Sequence, residues 1–180
     1  MTYPGVRLTE RLRLEPIGLR HAVDLLGLYQ DPDVAVWYGA WTRERIEAEV
    51  ARIARCWSTE GVHKWMAYHR VTGQLIGRGG LSRKLVDGRV RLEVGWVLHR
   101  RHWGQGYATE IGRAGLEMAF DELGADEVVA FTEAHNRRSR AVMERLGFRY
   151  SKPVSIDGES FVLYALRRPD PGASPGTSPS

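Results

Sequence analysis

The sequence predicts an α+β fold: a mixed sheet with helices packed on both faces, in the order β-α-α-β-β-β-α-β-α-β-β, roughly seven strands and four helices. Three observations support this. Strand-like runs at 64–69, 74–82, 89–98, 148–156 and 159–167 meet at the turn pairs Thr72-Gly73, Asp87-Gly88 and Asp157-Gly158, as hairpins do. Segments with apolar residues at helical spacing precede and separate them. Finally, the strand-like run ending at Leu98 passes through a turn with Gly104 and Gly106 straight into a helical pattern at 108–123.

Taken in order, residues 11–14 alternate charge and leucine, as a first strand does. Leu19, Ala22, Val23 and Leu26 follow Pro16 as a helix face that fades at Asp31-Pro32-Asp33. Residues 34–41 are aromatic and show no clean period. Thr42 is placed to cap a second helix whose inward stripe is Ile46, Val50, Ile53 and Trp57. The helix after the glycine turn carries Ile111, Ala114, Gly115, Met118 and Ala119 on one face, and its small residues let it lie close to a sheet. Residues 127–132 read as a strand. Residues 136–146 read as a helix ended by Gly147, suited to the left-handed position after a helix. A single domain at 1–168 is expected, with a proline-, glycine- and serine-rich tail at 169–180 that is disordered and dispensable.

With 43% hydrophobic and 27% charged residues the composition is that of an ordinary globular protein, and 180 residues are enough to bury a core without staples. The net charge is +4, but no basic stripe of the kind nucleic acid needs is evident. The cluster of His99, Arg100, Arg101 and His102 abuts the glycine turn, which points to a local anionic ligand. One cysteine, Cys56, excludes an internal disulfide and fits a buried core thiol. Six histidines without ligand spacing give no metal site. No run approaches membrane-spanning length and no signal opens the chain, so a cytoplasmic location is expected.

A strand feeding a helix through a glycine turn presents backbone N–H groups at the positive end of the helix dipole, a ready phosphate or pyrophosphate site. A Walker A loop needs a lysine and Ser or Thr after its last glycine, and Tyr107-Ala108 stands there. A dinucleotide fingerprint needs glycine or alanine where Thr109 stands, and belongs at the start of a parallel array. The third reading is the R/Q-x-x-G-x-G/A turn that binds acetyl-coenzyme A (acetyl-CoA), met by Arg101, Gly104 and Gly106. A plain turn without ligand is the bland alternative.

Four motifs in order carry a family resemblance: Glu93 to Leu98, then Trp103 to Glu110, then Asn136 with Ser139, then Leu146-Gly147-Phe148. With the opening at 9–14 and Asp31-Pro32-Asp33, the chain over residues 8–166 resembles the GNAT N-acetyltransferases. Within them it looks like the RimJ/RimL branch, which acetylates ribosomal-protein N-termini. The resemblance implies the GNAT fold and an acetyl group moved from acetyl-CoA directly to a primary amine in a ternary complex, with no metal. The acceptor it implies is a protein N-terminus or a small-molecule amine. An acyl-CoA-binding sensor that has lost catalysis is the alternative from another class, and pairing of two copies through the last hairpin stays open.

The resemblance also implies roles. The glycine turn holds the pyrophosphate on amides near Gln105, Tyr107, Ala108 and Thr109, with charge from Arg101 or His102. Backbone groups of Trp96, Val97 and Leu98 hold the pantetheine arm where the strand splays near Gly95, and one N–H polarises the thioester carbonyl. Glu93 draws the proton from the amine, directly or through water; a plain salt bridge to Arg91, Arg89 or Arg78 is its alternative. Where many relatives carry a tyrosine the chain has Met143; the branch it resembles carries serine at the position of Ser139, which implies that Ser139 serves the departing thiolate, and a serine bonding the helix start is its alternative. Asn136 caps that helix or contacts the coenzyme. Trp37, Tyr38, Trp41 and Trp65, with His63, are expected to line the acceptor pocket, each against the alternative of core packing.

Overall fold

A computed structural model describes residues 5–169; beyond Pro169, the tail expected at 169–180 lies outside the described residues. The chain opens with β1 (Arg7–Leu8) and β2 (Leu12–Pro16), followed by α1 (Ala22–Gln30), α2 (Pro32–Tyr38) and α3 (Arg43–Glu60). Next come β3 (Lys64–His69), β4 (Leu75–Val86) and β5 (Arg89–Leu98), then α4 (Tyr107–Glu117), β6 (Glu127–Thr132), α5 (Arg137–Arg145), β7 (Arg149–Ile156) and β8 (Glu159–Arg167). Among the described residues, eight strands form one sheet in the order β1-β2-β3-β4-β5-β6-β8-β7. Every neighbouring pair is antiparallel except β5 and β6.

The mixed sheet matches the sequence-based expectation, with two additions. The short β1 carries no periodicity because it is two residues long. The aromatic stretch contains a helix, α2, where an irregular segment was expected. Asp31 does not end the helical region; its Oδ1 accepts the Asp33 N–H at 3.0 Å and Pro32 takes the first helical position, so Asp31-Pro32-Asp33 is a helix start. The helix expected at 108–123 is regular to Glu117 and then widens into a π-type turn, Met118–Glu122, where Arg168 binds the carbonyl of Phe120 at 2.7 Å. β4 runs on to Val86, since Asp87 and Gly88 both adopt positive φ (58° and 72°) and form a two-residue turn directly into β5.

Helices α1 to α3 cover one face of the sheet through Leu25, Leu28, Val34, Ile46, Val50 and Ile53, packed on Met66 and Val97. Helices α4 and α5 cover the other through Ile111, Ala114 and Met143, packed on Trp65, Leu81 and Val94. Helices therefore lie on both faces, as expected. One irregularity in the sheet positions everything that follows. β5 pairs with β6 in parallel at a single register point, Glu93 with Val129. Past Glu93 the edge of β5 has no strand partner among the described residues, and a cleft opens there.

Candidate active site

The cleft has a volume of about 1400 Å³ and runs from the glycine turn, along the open edge of β5, to α2 and the β7–β8 hairpin. Trp96, Val97 and Leu98 line it, so their edge-facing backbone groups can pair with an extended ligand as an added strand does. The Leu98 carbonyl also accepts the Trp103 indole N–H at 2.9 Å, which ties the strand end to the glycine turn.

In that turn Gly104 and Gly106 have φ of 74° and 83°, conformations that L side chains rarely adopt. Gly106 is the residue before α4 and offers no side chain to cap it. The first amides of α4, including Tyr107, Ala108 and Thr109, therefore have no intrahelical acceptor, and these residues line the cleft. A Cβ at Gly104 meets nothing within 4 Å, so the turn is open on the side a phosphate would approach. The donors present fit a pyrophosphate.

Its cations differ from those expected. The Arg101 side chain does not line the cleft; a tight turn at Arg100–His102 sends it outward, and its Nε donates to His102 Nε2 at 3.1 Å. His102 does line the cleft, but burial and the Arg101 charge push its pKa below the usual histidine value, so it is neutral at pH 7. The Gln105 side chain turns back to the Arg101 carbonyl at 2.8 Å. Arg11, just before β2, stands at the turn: it donates to the Gln105 carbonyl at 2.9 Å, lies 4.3 Å from the Tyr107 ring and pairs with Glu110 at 2.8 Å. Arg113, Arg138 and Arg145 also line the cleft.

At the apex, Glu93 is buried and faces the cleft. Its partner is none of the arginines considered from sequence. Lys64 Nζ on β3 meets Glu93 Oε2 at 2.6 Å and the Gly80 carbonyl at 2.8 Å, and Ser82 Oγ donates to the same Oε2 at 2.9 Å. Burial pushes the Lys64 pKa down to about 8 against the pull of Glu93, so it carries its proton at pH 7. Gly95 marks a close approach. A Cβ there would stand 2.6 Å from Glu93 Oε1 and 3.4 Å from Lys64 Nζ, so glycine leaves the room this ion pair occupies.

Across the opening, Asn136 Oδ1 accepts the Ser139 N–H at 3.1 Å and caps α5. The Ser139 hydroxyl lines the cleft and has no protein partner among the described residues. Met143, one turn on, is buried against the same cleft. Trp37, Tyr38 and Trp41 line the other wall. Trp37 stacks on His135 at 5.3 Å, so α2 reaches the segment between β6 and α5, and Trp41 stacks on Tyr29 at 4.8 Å. Trp65 belongs elsewhere: it is 0% exposed, points to the α4 side of the sheet and packs at 5.9 Å from Trp57. Alternation along β3 explains this, because Lys64 and Met66 take the cleft side and Trp65 the opposite one. His63 lines the cleft as a neutral imidazole. Burial and the charges of Lys64 and Arg52 push its pKa to about 3, and Nδ1 accepts the Lys64 N–H at 2.8 Å.

Three cleft residues had no sequence-based role as they stand here: Arg11, Lys64 and Arg78. A lysine opening an apolar strand, two residues before fully buried Met66, was the available signal for the second. Among the described residues no group of three or more His, Cys, Asp or Glu side chains is placed to hold a metal ion, and no helix is long and apolar enough to cross a membrane.

Comparison with known proteins agrees with this geometry. Residues 11–149 match the acetyltransferase (GNAT) domain family. "Uncharacterized protein YkkB" of Bacillus subtilis (strain 168) is 34% identical over 159 residues, covering 87% of this chain and 92% of the relative. FsC-acetyl coenzyme A-N(2)-transacetylase of Aspergillus fumigatus is 30% identical over 180 aligned residues, covering 89% and 75%. The structure of a putative GnaT-family acetyltransferase from Bordetella pertussis superposes with a TM-score of 0.80 at 24% identity, over 89% of this chain and 98% of that one. The chain belongs to the GNAT family and is an acetyl-CoA-dependent acetyltransferase.

Proposed function

We propose that the chain transfers acetyl directly to a primary amine within a ternary complex formed at the β5–β6 opening. The observation that carries this is the single pairing of β5 with β6 at Glu93. It sets a buried carboxylate at the apex of a gap, with the glycine turn at one end and a serine hydroxyl opposite. Acetyl-CoA supplies the acetyl group as an activated thioester. The amides at 106–109 and the charge of Arg11 hold its pyrophosphate, and the edge of β5 at 96–98 holds its arm. One N–H of that edge stabilises the developing oxyanion.

Acetylation requires the amine to be neutral. Glu93 takes the proton directly or through water on Oε1, since Oε2 is already held by Lys64 and Ser82. As nitrogen bonds to the carbonyl carbon and the carbon–sulfur bond breaks, Ser139 donates a hydrogen bond or proton to sulfur. No cysteine lines the cleft, which supports direct transfer over a covalent relay.

For the acceptor, resemblance to the RimJ/RimL branch supports a protein N-terminus. A second reading, a small-molecule amine, is favoured by the cation on the cleft floor described in the following subsection.

The test is amine-dependent thiol release by Glu93→Gln and Ser139→Ala. A working general acid or base contributes about 100-fold or more, so Glu93→Gln should lower turnover by that order and raise the pH of half-maximal rate. Ser139→Ala with turnover within about twofold of wild type removes Ser139 from the mechanism. An unchanged pH profile in Glu93→Gln removes Glu93.

A further inference from the structure

The floor of the cleft holds a cation that the acetyl-transfer chemistry does not use. Arg78 lies on β4, opposite Val97 of β5, and faces the cleft. Neighbouring strands are about 4.8 Å apart, so Arg78 stands beside the stretch of β5 assigned to the thioester. Its Nε donates to the Tyr29 hydroxyl at 3.0 Å. Its guanidinium carbon lies 5.7 Å from the Tyr29 ring and 5.4 Å from the Tyr38 ring. One edge of the guanidinium is thereby fixed between two aromatic rings. The two terminal nitrogens have no acceptor among the described residues.

The lack of a partner follows from how the surrounding carboxylates are committed. Glu93 Oε2 binds Lys64 and Ser82. Glu49 is taken in a two-point contact by Arg52, at 2.7 and 2.9 Å. No carboxylate lies within 4 Å of Arg78 among the described residues, although Arg78 is half-buried. An oriented, partly desolvated guanidinium with an open fork is costly to keep unless something pairs with it. The fork matches a planar carboxylate in a two-point contact.

We infer that Arg78 is a specificity-determining residue that anchors a carboxylate on the acceptor, so that the acceptor is a small amino acid or amino-acid-like amine. The inference rests on the acetyl-transfer reading above. Its electrostatics divide the acceptor between two poles. The carboxylate goes to Arg78 and the amine to the side of Glu93, with the thioester beside Val97 between them. The sequence offered Arg78 only as a possible partner of Glu93; the structure gives that position to Lys64 and leaves Arg78 over.

The experiment measures thiol release from acetyl-CoA by the full chain with the standard L-amino acids, their carboxamides and short N-terminal peptides. Removing the carboxylate charge should lower kcat/KM by about 10- to 100-fold, as for loss of a charge-assisted two-point contact. Arg78→Gln should cut kcat/KM for the acids, mainly through KM, and shrink the acid-to-carboxamide ratio toward one. Arg78→Lys, which keeps the charge and loses the fork, should fall between. Stabilisation of each variant by acetyl-CoA verifies that it folds.

Equal rates for acids and carboxamides in the wild type overturn the anchor and leave acetyl transfer standing, as does release with peptides alone. A ratio that survives Arg78→Gln also overturns it. Binding of acetyl-CoA without release from any amine in the panel overturns the anchor as well. If acetyl-CoA neither stabilises the wild type nor releases thiol, the acetyl-transfer reading itself fails.

Discussion

Glu93, Lys64 and Gly95 act as one unit, because the missing Cβ at 95 leaves the space in which the carboxylate and the ammonium meet. Gly95→Ala therefore separates position from identity. The atom it crowds is the end of a flexible side chain, so stability should change little while the carboxylate moves. Displacements near 1 Å can cost about 100-fold, and turnover should fall toward that limit with acetyl-CoA stabilisation retained. Wild-type turnover in this variant would show that the placement of Glu93 is immaterial. His63 gives a pH prediction. Its pKa is about 3 in the fold against 6.5 for the ordinary side chain, so the unfolded chain takes up this proton first as pH falls. The stability it secures is complete above pH 6.5 and is lost between 6.5 and about 3. Urea midpoints between pH 7 and 4 should fall less steeply in His63→Gln than in wild type; identical slopes would contradict the assignment. At this scale the sequence pointed to residues that the structure brings to the cleft, such as Gly106, Glu93, Asn136 and Ser139. It hid those that arrive from far along the chain: Lys64 is 29 residues from Glu93, and Arg11 is 94 from Gln105.

Helix α2 shows how an element can escape its own periodicity. It is seven residues long, with Val34 buried and Trp37 turned to the cleft, too short for a stripe to emerge. Its readable signal was the cap. Asp31 does two jobs: Oδ1 caps Asp33, while Oδ2 meets His99 Nδ1 at 2.9 Å, joining the start of α2 to the end of β5. Asp31→Ala should destabilise the chain by about 1–2 kcal/mol, the usual range for a lost cap, in denaturant melts. It should also raise KM for the amine, since α2 carries the cleft wall; an unchanged KM would place the acceptor elsewhere. Trp37→Ala makes the same point without touching the helix start. Losing the stack on His135 should weaken amine binding and leave the acetyl-CoA response intact. Equal loss of both would assign Trp37 to the coenzyme instead. The longer elements were legible because each has a strong period or a two-residue turn, and α3 keeps the stripe of Ile46, Val50 and Ile53 that its sequence shows.

For the molecule as a whole, a mixed sheet with one parallel contact is what converts a chain of hairpins into a ligand site. Antiparallel neighbours stay paired along their length, whereas β5 and β6 meet once and part, leaving backbone donors and acceptors beside the start of α4. The order of hairpins and the glycine turn was visible in the sequence; the divergence near Gly95 was expected from the family resemblance alone, because nothing local to β5 or β6 records where a parallel neighbour departs. The proposed site puts acetyl-CoA at that divergence, and this can be measured directly. Thermal unfolding is followed with increasing acetyl-CoA for the wild type and Gly106→Glu in parallel. A ligand at 100 times its Kd stabilises the fold by about 2.7 kcal/mol, or roughly 5–10 °C for a chain of this size. The expected result is a rise of that order in the wild type and none in Gly106→Glu, whose own melting temperature falls by several degrees because a side chain at φ 83° is strained, while the chain stays folded. No rise in the wild type, or an equal rise in a folded Gly106→Glu, would contradict the placement of acetyl-CoA at this turn.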